Sequence, residues 1–325
     1  MFGGYKSSKN SCATGMKGHN GFDGKSTPPV PSKEVRPDRT LPIVHPPLMS
    51  SSRNPAMRCF NTPTEPSGAE IPLEEVAPLY GGRRAALSLN IIVVGAGLGG
   101  LAATHTLAHA GHRVTLLEST RVLGEVGAGI QVSPNASRLL LRWGLGPALR
   151  THAVEPSGIV FRRYDTGERL GYTNWSSRME RDHGAPYYQI HRADYHAMLH
   201  RLAVTAPNVH IRLGATVCDV QPDPAVAGGP SITLESGEVL YADLIVGADG
   251  VKSRLQKVVT GLDDQPTPTG DAAYRAIVPT DLMAQDPELR PLIESAEGTI
   301  WMAPGRHLGG YCIVSAILRL LYQKI

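Results

Sequence analysis

The sequence predicts an α/β fold that begins with a parallel sheet. Residues 90–94, Asn-Ile-Ile-Val-Val, form a β-branched run bounded by glycine, which is typical of a buried parallel strand. Residues 101–108 then carry small and apolar side chains at helical spacing, and Gly111 is suited to end that helix. Residues 114–117, Val-Thr-Leu-Leu, form a second apolar run. A strand, a helix and a strand in this order predict a βαβ unit.

The turn between the first strand and the helix carries the pattern G-x-G-x-x-G at Gly95, Gly97 and Gly100. Gly95 allows a tight turn, Gly97 lets the backbone approach a pyrophosphate, and Gly100 lets the helix pack close to the strand. The helix N-terminus presents free N–H groups and the positive end of the helix dipole to phosphates. The pattern therefore predicts a dinucleotide site, with a ligand-free glycine-rich turn as the alternative.

An acidic residue, Glu118, ends the second strand, eighteen positions after Gly100. A carboxylate there accepts hydrogen bonds from ribose hydroxyls, whereas an arginine would favour an adenosine 2′-phosphate. Glu118 thus argues against a 2′-phosphate at this site. The motif alone does not separate FAD from NAD.

Composition narrows the class of protein. The chain has 325 residues, enough for two domains, and its net charge of +3 is too small to indicate nucleic-acid binding. The four cysteines are far apart and give no zinc spacing, so we expect no metal site and a reducing compartment. No apolar run reaches the roughly 20 residues that span a bilayer. A cytoplasmic location is the default expectation.

Two histidine pairs have i, i+4 spacing, His105 with His109 and His196 with His200. Neither pair has the acid of an H-E-x-x-H motif between its members. We therefore expect histidines on solvated helix faces rather than zinc ligands.

Residues 1–86 are predicted to be a disordered, proline-rich N-terminal extension. Twelve of the 26 prolines lie before residue 81, among many Ser, Gly and Asn residues. Such a segment cannot bury enough apolar surface to offset its ordering entropy. The functional alternative is a targeting or docking tail.

Three glycines within six residues, at positions 124–129, predict that the segment after Glu118, which includes Gly129 and Gln131, is a flexible loop. Short strand patterns follow this loop. They include two hairpins, residues 159–164 with 169–172 and 231–234 with 238–241, and an amphipathic helix over 192–204. Residues 242–250 then form a buried strand that ends in Gly-Ala-Asp-Gly, which includes Asp249 and Gly250. An acid and glycines at the carboxyl end of a parallel strand lie where open α/β sheets bind ligands.

Several motifs in order carry a family resemblance. Together they resemble the single-component FAD-dependent aromatic hydroxylases, in particular the salicylate hydroxylase-like branch in fungi, over about residues 88–311. They are the glycine pattern with Glu118, Gly127-Ala128-Gly129-Ile130-Gln131 running into Pro134-Asn135, His191-Arg192-Ala193-Asp194, and Ala-Asp-Leu-Ile-Val-Gly-Ala-Asp-Gly at residues 242–250.

The resemblance implies a Rossmann-like FAD-binding domain interleaved with a β-rich substrate domain. The FAD-binding domain would span residues 87–260, with an inserted β-hairpin region at about 156–190. Residues 261–325 would be a partial substrate domain with an aberrant C-terminal tail.

The resemblance also implies roles for nucleotide-binding residues. Gly95, Gly97 and Gly100 would hold the FAD pyrophosphate, and Glu118 would bind the adenosine ribose.

Further roles follow for the flavin end and the substrate. Gly129 and Gln131 would lie beside the flavin, and Arg192 would lie near the cofactor. The Asp249-Gly250 pair would serve both FAD and the reduced nicotinamide. Arg275 is the candidate catalytic residue, which would position or polarise the substrate; a salt-bridged surface arginine is the alternative.

The implied reaction is carried mainly by the cofactor. NADH or NADPH reduces the flavin, oxygen adds at the flavin C4a, and the hydroperoxide transfers OH to a salicylate-like aromatic ring or a related secondary metabolite. The partners would be an aromatic small molecule and O2. The absence of a second Rossmann motif in the sequence agrees with a nicotinamide that visits and leaves. The sequence decides neither NADH against NADPH nor the oligomeric state.

The chain also departs from the family pattern. It lacks the second motif, Gly-Asp-Ala-Ala-His followed by Pro and Gly-Gln-Gly; residues 270–274, Gly-Asp-Ala-Ala-Tyr, match only in part and lead into a strand. The resemblance ends at Tyr311, so the sequence indicates a C-terminally truncated member. The alternatives to an active monooxygenase are a catalytically inactive flavoprotein remnant and another FAD oxidoreductase on the same scaffold.

Overall fold

The fold consists of four sheets with helices between and beside their strands. The structure is a computed structural model that describes residues 71–124, 129–263, 266–271, 273–314 and 318–324. Most of the predicted extension, up to residue 70, and the Gly127-Ala128 part of the glycine-rich loop lie outside the described residues.

The first half of the described chain alternates strands and helices. A short 3-10 helix at Leu79–Gly82 comes first. It is followed by β1 (Asn90–Val94), α1 (Leu98–His109), β2 (Arg113–Leu117), β3 (Gly129–Val132), α2 (Pro134–Arg142), α3 (Gly146–His152), β4 (Ala153–Val154), β5 (Gly158–Arg163), β6 (Arg169–Asn174), α4 (Ser176–His183), β7 (Tyr188–His191) and α5 (Arg192–Thr205).

The second half is richer in strands. Its elements are β8 (Val209–Arg212), β9 (Val217–Gln221), β10 (Ser231–Leu234), β11 (Val239–Tyr241), β12 (Leu244–Gly247), a 3-10 helix at Gly250–Lys252, α6 (Leu255–Thr260), β13 (Ala273–Pro279), α7 (Thr280–Ala284), α8 (Pro291–Glu294), β14 (Glu297–Ala303), β15 (Arg306–Val314) and β16 (Leu318–Lys324).

The predicted βαβ unit forms the centre of a four-stranded parallel sheet with the order β12-β1-β2-β8. Ile91 and Val93 belong to the hydrophobic core shared with α1 and α5. Ile92 and Val94 belong to a second core, shared with β9 and β10. Both faces of β1 are thus buried, which is why its sequence is continuously apolar. The strand order reverses at β1, and such a reversal opens a crevice at the carboxyl ends of the strands.

Gly111 ends α1 as predicted. Its φ of +103° lies in the left-handed region that favours glycine. Its N–H donates to the carbonyl of Ala108, and the N–H of His112 donates to the carbonyl of Leu107. These two bonds close the last turn and direct the chain straight into β2.

A six-stranded sheet, with the order β13-β16-β15-β14-β5-β6, forms the β-rich part. It combines the β5–β6 hairpin from the middle of the chain with the four strands from its C-terminal part. The predicted interleaving of the two parts is therefore confirmed. β16, which lies beyond the region of resemblance, pairs with both β13 and β15 and is an interior strand.

A three-stranded sheet, β3-β7-β4, includes residues that the sequence placed in a flexible loop. Gly129 and Gln131 lie on β3, where they pair with His191 and Gln189 of β7. The loop assignment is wrong for these residues because the antiparallel ladder with β7 holds their backbone groups.

Residues 71–86 contact the parallel-sheet part, although the sequence placed them in the extension. The Glu74 N–H donates to the Gly144 carbonyl at 2.9 Å, and the Ala85 N–H donates to the Ala110 carbonyl at 2.7 Å. The Tyr80 hydroxyl donates to a carbonyl of α1, that of Thr106, at 3.3 Å. The described fold therefore begins before residue 87.

Candidate functional site

A cleft of about 330 Å³ lies at the carboxyl ends of β1, β2 and β12. This is the crevice that the reversal of strand order predicts. Five of the residues singled out in the sequence line it, namely Gly95, Gly97, Glu118, Asp249 and Gly250.

The three motif glycines have different surroundings. A Cβ on Gly95, whose φ is +101°, would contact the backbone of Ala248. A Cβ on Gly100 would overlap the Gly95 carbonyl and lie 3.3 Å from the Ala248 Cβ. A Cβ on Gly97 would have no atom within 4 Å. The packing of the chain itself therefore requires Gly95 and Gly100, whereas Gly97 opens onto free space.

That free space lies at the N-terminus of α1. Gly97 is the N-cap residue, and its carbonyl accepts the first helical bond, from Leu101, at 3.0 Å. By helix geometry, the N–H groups before Leu101 have no acceptor within the helix. An open approach, free N–H groups and the positive end of a 12-residue helix fit a pyrophosphate.

Glu118 is fixed by hydrogen bonds to both of its carboxylate oxygens. Oε2 accepts from the Ala96 N–H at 2.8 Å, and Oε1 accepts from the Thr120 N–H at 2.9 Å and the Ser119 hydroxyl at 3.0 Å. Burial acts to raise the pKa of Glu118, but the hydrogen bonds from Thr120, Ala96 and Ser119 together lower it. The ionised carboxylate retains lone pairs that can accept from ribose hydroxyls.

His196 also binds Ala96, the loop residue whose N–H donates to Glu118. Its Nε2 donates to the Ala96 carbonyl at 2.8 Å, so both backbone groups of Ala96 are held by side chains. The expectation of a solvated helix face is wrong for His196 and for His105, which are only 8% and 4% exposed. Both are buried because α5 packs on α1. Burial, followed by the nearby His109, lowers the pKa of His105 to about 4.

Asp249 has a structural task at the edge of the cleft. Its Oδ1 accepts from the Ser253 hydroxyl at 2.6 Å, and its Oδ2 accepts from the N–H groups of Arg254 at 2.7 Å and Leu255 at 3.3 Å. Gly250, with a φ of +78°, provides the turn between them. Asp249 therefore fixes the segment that leads into α6 while it lines the cleft.

Gly129, Gln131 and Arg192 do not line this cleft. They lie together where β3 pairs with β7 and α5 begins. Gly129 pairs with His191, the neighbour of Arg192, which begins α5. The Gln131 Oε1 accepts from the Tyr187 hydroxyl at 2.7 Å.

Gly129 also faces the six-stranded sheet. A Cβ at this position would lie 2.6 Å from Ile313 and 3.0 Å from the hydroxyl of Tyr311, both on β15. Sequence reasoning missed Tyr311, because no local pattern links it to Gly129, a residue 182 positions earlier. The glycine itself was the available signal, since it marks a close approach of some kind.

Arg275 lies on β13 and is exposed, away from the cleft. Burial raises the pKa of Tyr311 to about 12, while the charge of Arg275 acts in the opposite direction and Tyr187 adds to the increase. Arg275, Tyr311 and Tyr187 thus interact electrostatically. The site residues predicted from the sequence therefore fall into two groups, one at the cleft and one around Tyr311.

In the described part of the chain, no group of three His, Cys, Asp or Glu side chains is arranged to hold a metal ion. Among the same residues, no helix is both long and apolar enough to cross a membrane.

Two relatives illustrate what the sequence is similar to. The FAD-dependent monooxygenase OpS4 of Beauveria bassiana is 36% identical over 227 residues, which are 69% of this chain and 52% of that protein. The 3-hydroxybenzoate 6-hydroxylase of Klebsiella oxytoca is 34% identical over 224 residues, which are 69% of this chain and 53% of that protein. The chain spans about half the length of these curated relatives.

Solved structures share the fold. FqzB has a TM-score of 0.60 and 26% identity, over 75% of this chain and 54% of that one. HpxO of Klebsiella pneumoniae, solved with FAD and uric acid, has a TM-score of 0.62 and 22% identity, over 73% of this chain and 56% of that one. At that identity the likeness to HpxO concerns the fold alone.

The family model described as "FAD binding domain" matches residues 88–306, which include all four strands of the parallel sheet and the cleft. The match confirms the predicted family resemblance and its cofactor class, FAD. The chain belongs to the FAD binding domain family.

Proposed function

We propose that the chain forms the FAD-binding part of a monooxygenase that uses NADH or NADPH and O2 to hydroxylate an aromatic small molecule. The observation that carries the proposal is the open approach to Gly97 at the N-terminus of α1, beside the ionised Glu118. The names of the relatives support the reaction class. A cytoplasmic location and a domain boundary near residue 260, between α6 and β13, belong to the same proposal.

The cleft residues would hold the nucleotide end of FAD. Gly97 leaves room for the pyrophosphate, which accepts from the free N–H groups of α1. Glu118 accepts from the adenosine ribose, and the Asp249-Gly250 turn closes the opposite side. Gly95 and Gly100 serve indirectly, because they let α1 approach β1 closely enough to present those N–H groups.

The second group would lie near the flavin and the substrate. FAD, when bound, supplies the redox chemistry, and the chain's own residues orient the reactants and exclude water. Gly129, Gln131 and Arg192 would lie at the flavin end. Arg275 would attract an acidic group on the substrate. Tyr311 is protonated at neutral pH, as any tyrosine is, and burial raises its pKa further, to about 12, so its hydroxyl can donate to the substrate.

The experiment is a flavin absorbance titration of the purified chain, with Gly97→Ala as the test variant and Gly171→Ala as the matched control. Gly171 lies on β6, also has free space at its Cβ, and is far from the cleft in the fold. We expect the parent and Gly171→Ala to bind FAD, and Gly97→Ala to lose at least tenfold in affinity, about 1.4 kcal/mol. Equal FAD affinity in all three would contradict the proposed site.

The reaction is tested on the FAD-loaded chain with NADPH or NADH, O2 and 3-hydroxybenzoate or salicylate as probes. A hydroxylated product, identified by mass, supports the monooxygenase. NAD(P)H consumption without such a product would instead indicate another FAD oxidoreductase. Bound FAD with no turnover of either kind would indicate an inactive flavoprotein.

A further inference from the structure

A histidine from outside the glycine pattern holds the turn that carries the pattern. His196 lies on α5, 100 positions from Ala96, and is buried with 8% exposure. Its Nε2 lies 2.8 Å from the Ala96 carbonyl oxygen, which can only accept, so Nε2 carries the proton and donates. The roles that the family resemblance implies do not include this histidine.

The hydrogen bond from His196 fixes the peptide group that joins Ala96 to Gly97. In a planar trans peptide, the carbonyl and the N–H point in opposite directions. The Ala96 carbonyl points towards α5, so the Gly97 N–H at the other end of the same peptide points away from α5. Gly97 lines the dinucleotide cleft and is the N-cap residue of α1. Its N–H is therefore held towards the cleft, and the bond to the carbonyl also polarises the peptide and strengthens that donor.

Three successive peptide groups of this turn each have a partner. In the first, the Ala96 N–H donates to the Glu118 Oε2 at 2.8 Å. The second is the peptide that His196 holds through the Ala96 carbonyl. In the third, the Gly97 carbonyl accepts from the Leu101 N–H at 3.0 Å. Of these three partners, His196 alone lies outside residues 90–118, so the middle peptide depends on how α5 packs against the βαβ unit.

α5 is itself a firmly held element. Its N-cap residue, His191, accepts from the Ala193 N–H at 3.2 Å through Nδ1, and it pairs with Gly129 in the ladder of β3 and β7. The apolar face of α5 is buried in the core that it shares with α1, through Met198, Leu199 and Leu202. The imidazole of His196 is thus in place before any ligand binds, which is what the positioning of a binding group requires.

We propose that His196 is a positioning residue for FAD, which holds the Ala96 carbonyl so that the Gly97 N–H is directed at the pyrophosphate. This inference rests on the proposed function, which places the pyrophosphate at the N-terminus of α1. His196 is not among the described residues that line the cleft, so it acts through the peptide and not by contact. Without its donor, the buried Ala96 carbonyl loses its partner and the peptide is free to rotate.

The test is a flavin absorbance titration of the purified chain and its variants. His196→Leu removes the donor and keeps an apolar side chain, whereas His196→Gln keeps an N–H donor. We expect His196→Leu to lose about tenfold in FAD affinity, the size of one charge-assisted hydrogen bond, and His196→Gln to stay within about threefold of the parent. If His196→Leu does not fold, His196→Asn replaces it, because its amide is one methylene shorter than that of glutamine and falls short of Ala96.

His105→Leu is the matched control. His105 is also a buried histidine, 4% exposed, and its Nδ1 is hydrogen-bonded to the Leu202 carbonyl at 3.2 Å across the same contact of α1 with α5. It is not among the described residues that line the cleft. In thermal unfolding without FAD, both leucine variants should lose similar stability, because each loses one buried hydrogen bond. Only His196→Leu should lose FAD affinity.

ADP and adenosine then locate the effect within the nucleotide. ADP carries a pyrophosphate and adenosine does not, while Glu118 keeps its bonds to Ser119 and Thr120 in the variant. His196→Leu should therefore weaken ADP by about the same factor as FAD and leave adenosine unchanged. Equal weakening of adenosine would overturn the inference. So would a loss of FAD affinity in His105→Leu as large as in His196→Leu, or a loss in His196→Gln as large as in the variant without a donor in reach.

These outcomes differ from a failure of the proposed function, because the parent reports on the function and the variants report on His196. A parent that binds FAD but forms no hydroxylated product contradicts only the reaction. A parent that binds FAD no more tightly than His196→Leu contradicts only the role of His196. A parent that takes up neither FAD nor ADP contradicts the proposed site and overturns this inference with it.

Discussion

Gly100→Ala should destabilise the protein without any ligand being present. The added Cβ would overlap the Gly95 carbonyl, lie 3.0 Å from its carbon and 3.3 Å from the Ala248 Cβ. Two of these three atoms are backbone, so α1 must move away from β1. Overpacking of this kind costs up to about 3 kcal/mol, from which the better helix propensity of alanine recovers about 1 kcal/mol. The net loss is about 2 kcal/mol.

The assay is thermal unfolding followed by circular dichroism, without added FAD. For a described fold of this size, 2 kcal/mol corresponds to a decrease in Tm of about 4–8 °C. Gly97→Ala is the companion variant, because its Cβ has free space and its φ of −70° suits any residue. We expect its free energy of unfolding to match that of the parent within about 0.5 kcal/mol. FAD at 100 times the parent's Kd should stabilise the parent by about 2.7 kcal/mol, and the same concentration should stabilise Gly97→Ala by about 1.4 kcal/mol or less, because its Kd is at least tenfold higher.

Two results would refute this reasoning. A Gly100→Ala protein that melts with the parent would mean that α1 does not approach β1 as closely as the contact with Gly95 requires. A Gly97→Ala protein that melts lower in the absence of FAD would mean that the space at Gly97 is not free. Either outcome would remove the distinction between a packing glycine and a ligand glycine.

Three further variants test the electrostatics of the two groups and of the buried His105. The pKa of Glu118 is lowered in the fold, so its carboxylate stabilises the protein above about pH 4.5 and this contribution is lost as the pH falls through the folded pKa. In Glu118→Gln, the free energy of unfolding measured with urea should depend less on pH in that acid range, and FAD binding should be weaker. His105 is buried and neutral with a pKa of about 4. Stability should therefore fall between pH 6.5 and about 4, by up to about 1.4 kcal/mol per pH unit, and urea unfolding of His105→Gln at pH 7 and pH 5 should show a smaller difference than in the parent. Arg275→Gln should weaken binding of 3-hydroxybenzoate, but not of uncharged phenol, by about tenfold, while FAD affinity in the same titration stays unchanged.

The parallel sheet and its cleft were predictable because their determinants are local. The apolar run of β1 encodes burial on both faces, and the glycines that follow encode a turn and a close helix. Glu118 follows β2 directly and Asp249 lies two positions after the end of β12, and parallel strands bring such positions to one edge of a sheet. In each case, fewer than about thirty residues contain the whole pattern.

The contacts that sequence reasoning missed are not local. His196 supports Ala96 from 100 positions away, and its helix spacing gave no sign of that partner. The hydrophobic pattern of α5 indicates the buried face of the helix as a whole but not the burial of each residue. Sequence reasoning therefore placed His196 on a solvated face. Its burial depends on α1, which packs directly against α5 in the hydrophobic core on one face of the parallel sheet. Such a contact follows from the tertiary arrangement and not from periodicity.

The glycine at position 129 has two separate explanations. The family resemblance explains it by closeness to the flavin, and the fold explains it by the closeness of Tyr311 and Ile313 on β15. The second explanation holds without any ligand, because a Cβ at this position would lie 2.6 Å from Ile313. A side chain at 129 would therefore displace β15 from β3, and with it the hydroxyl of Tyr311 that lies against this strand. The strand assigned to the flavin end and the strand that carries Tyr311 thus keep their spacing through the same missing side chain.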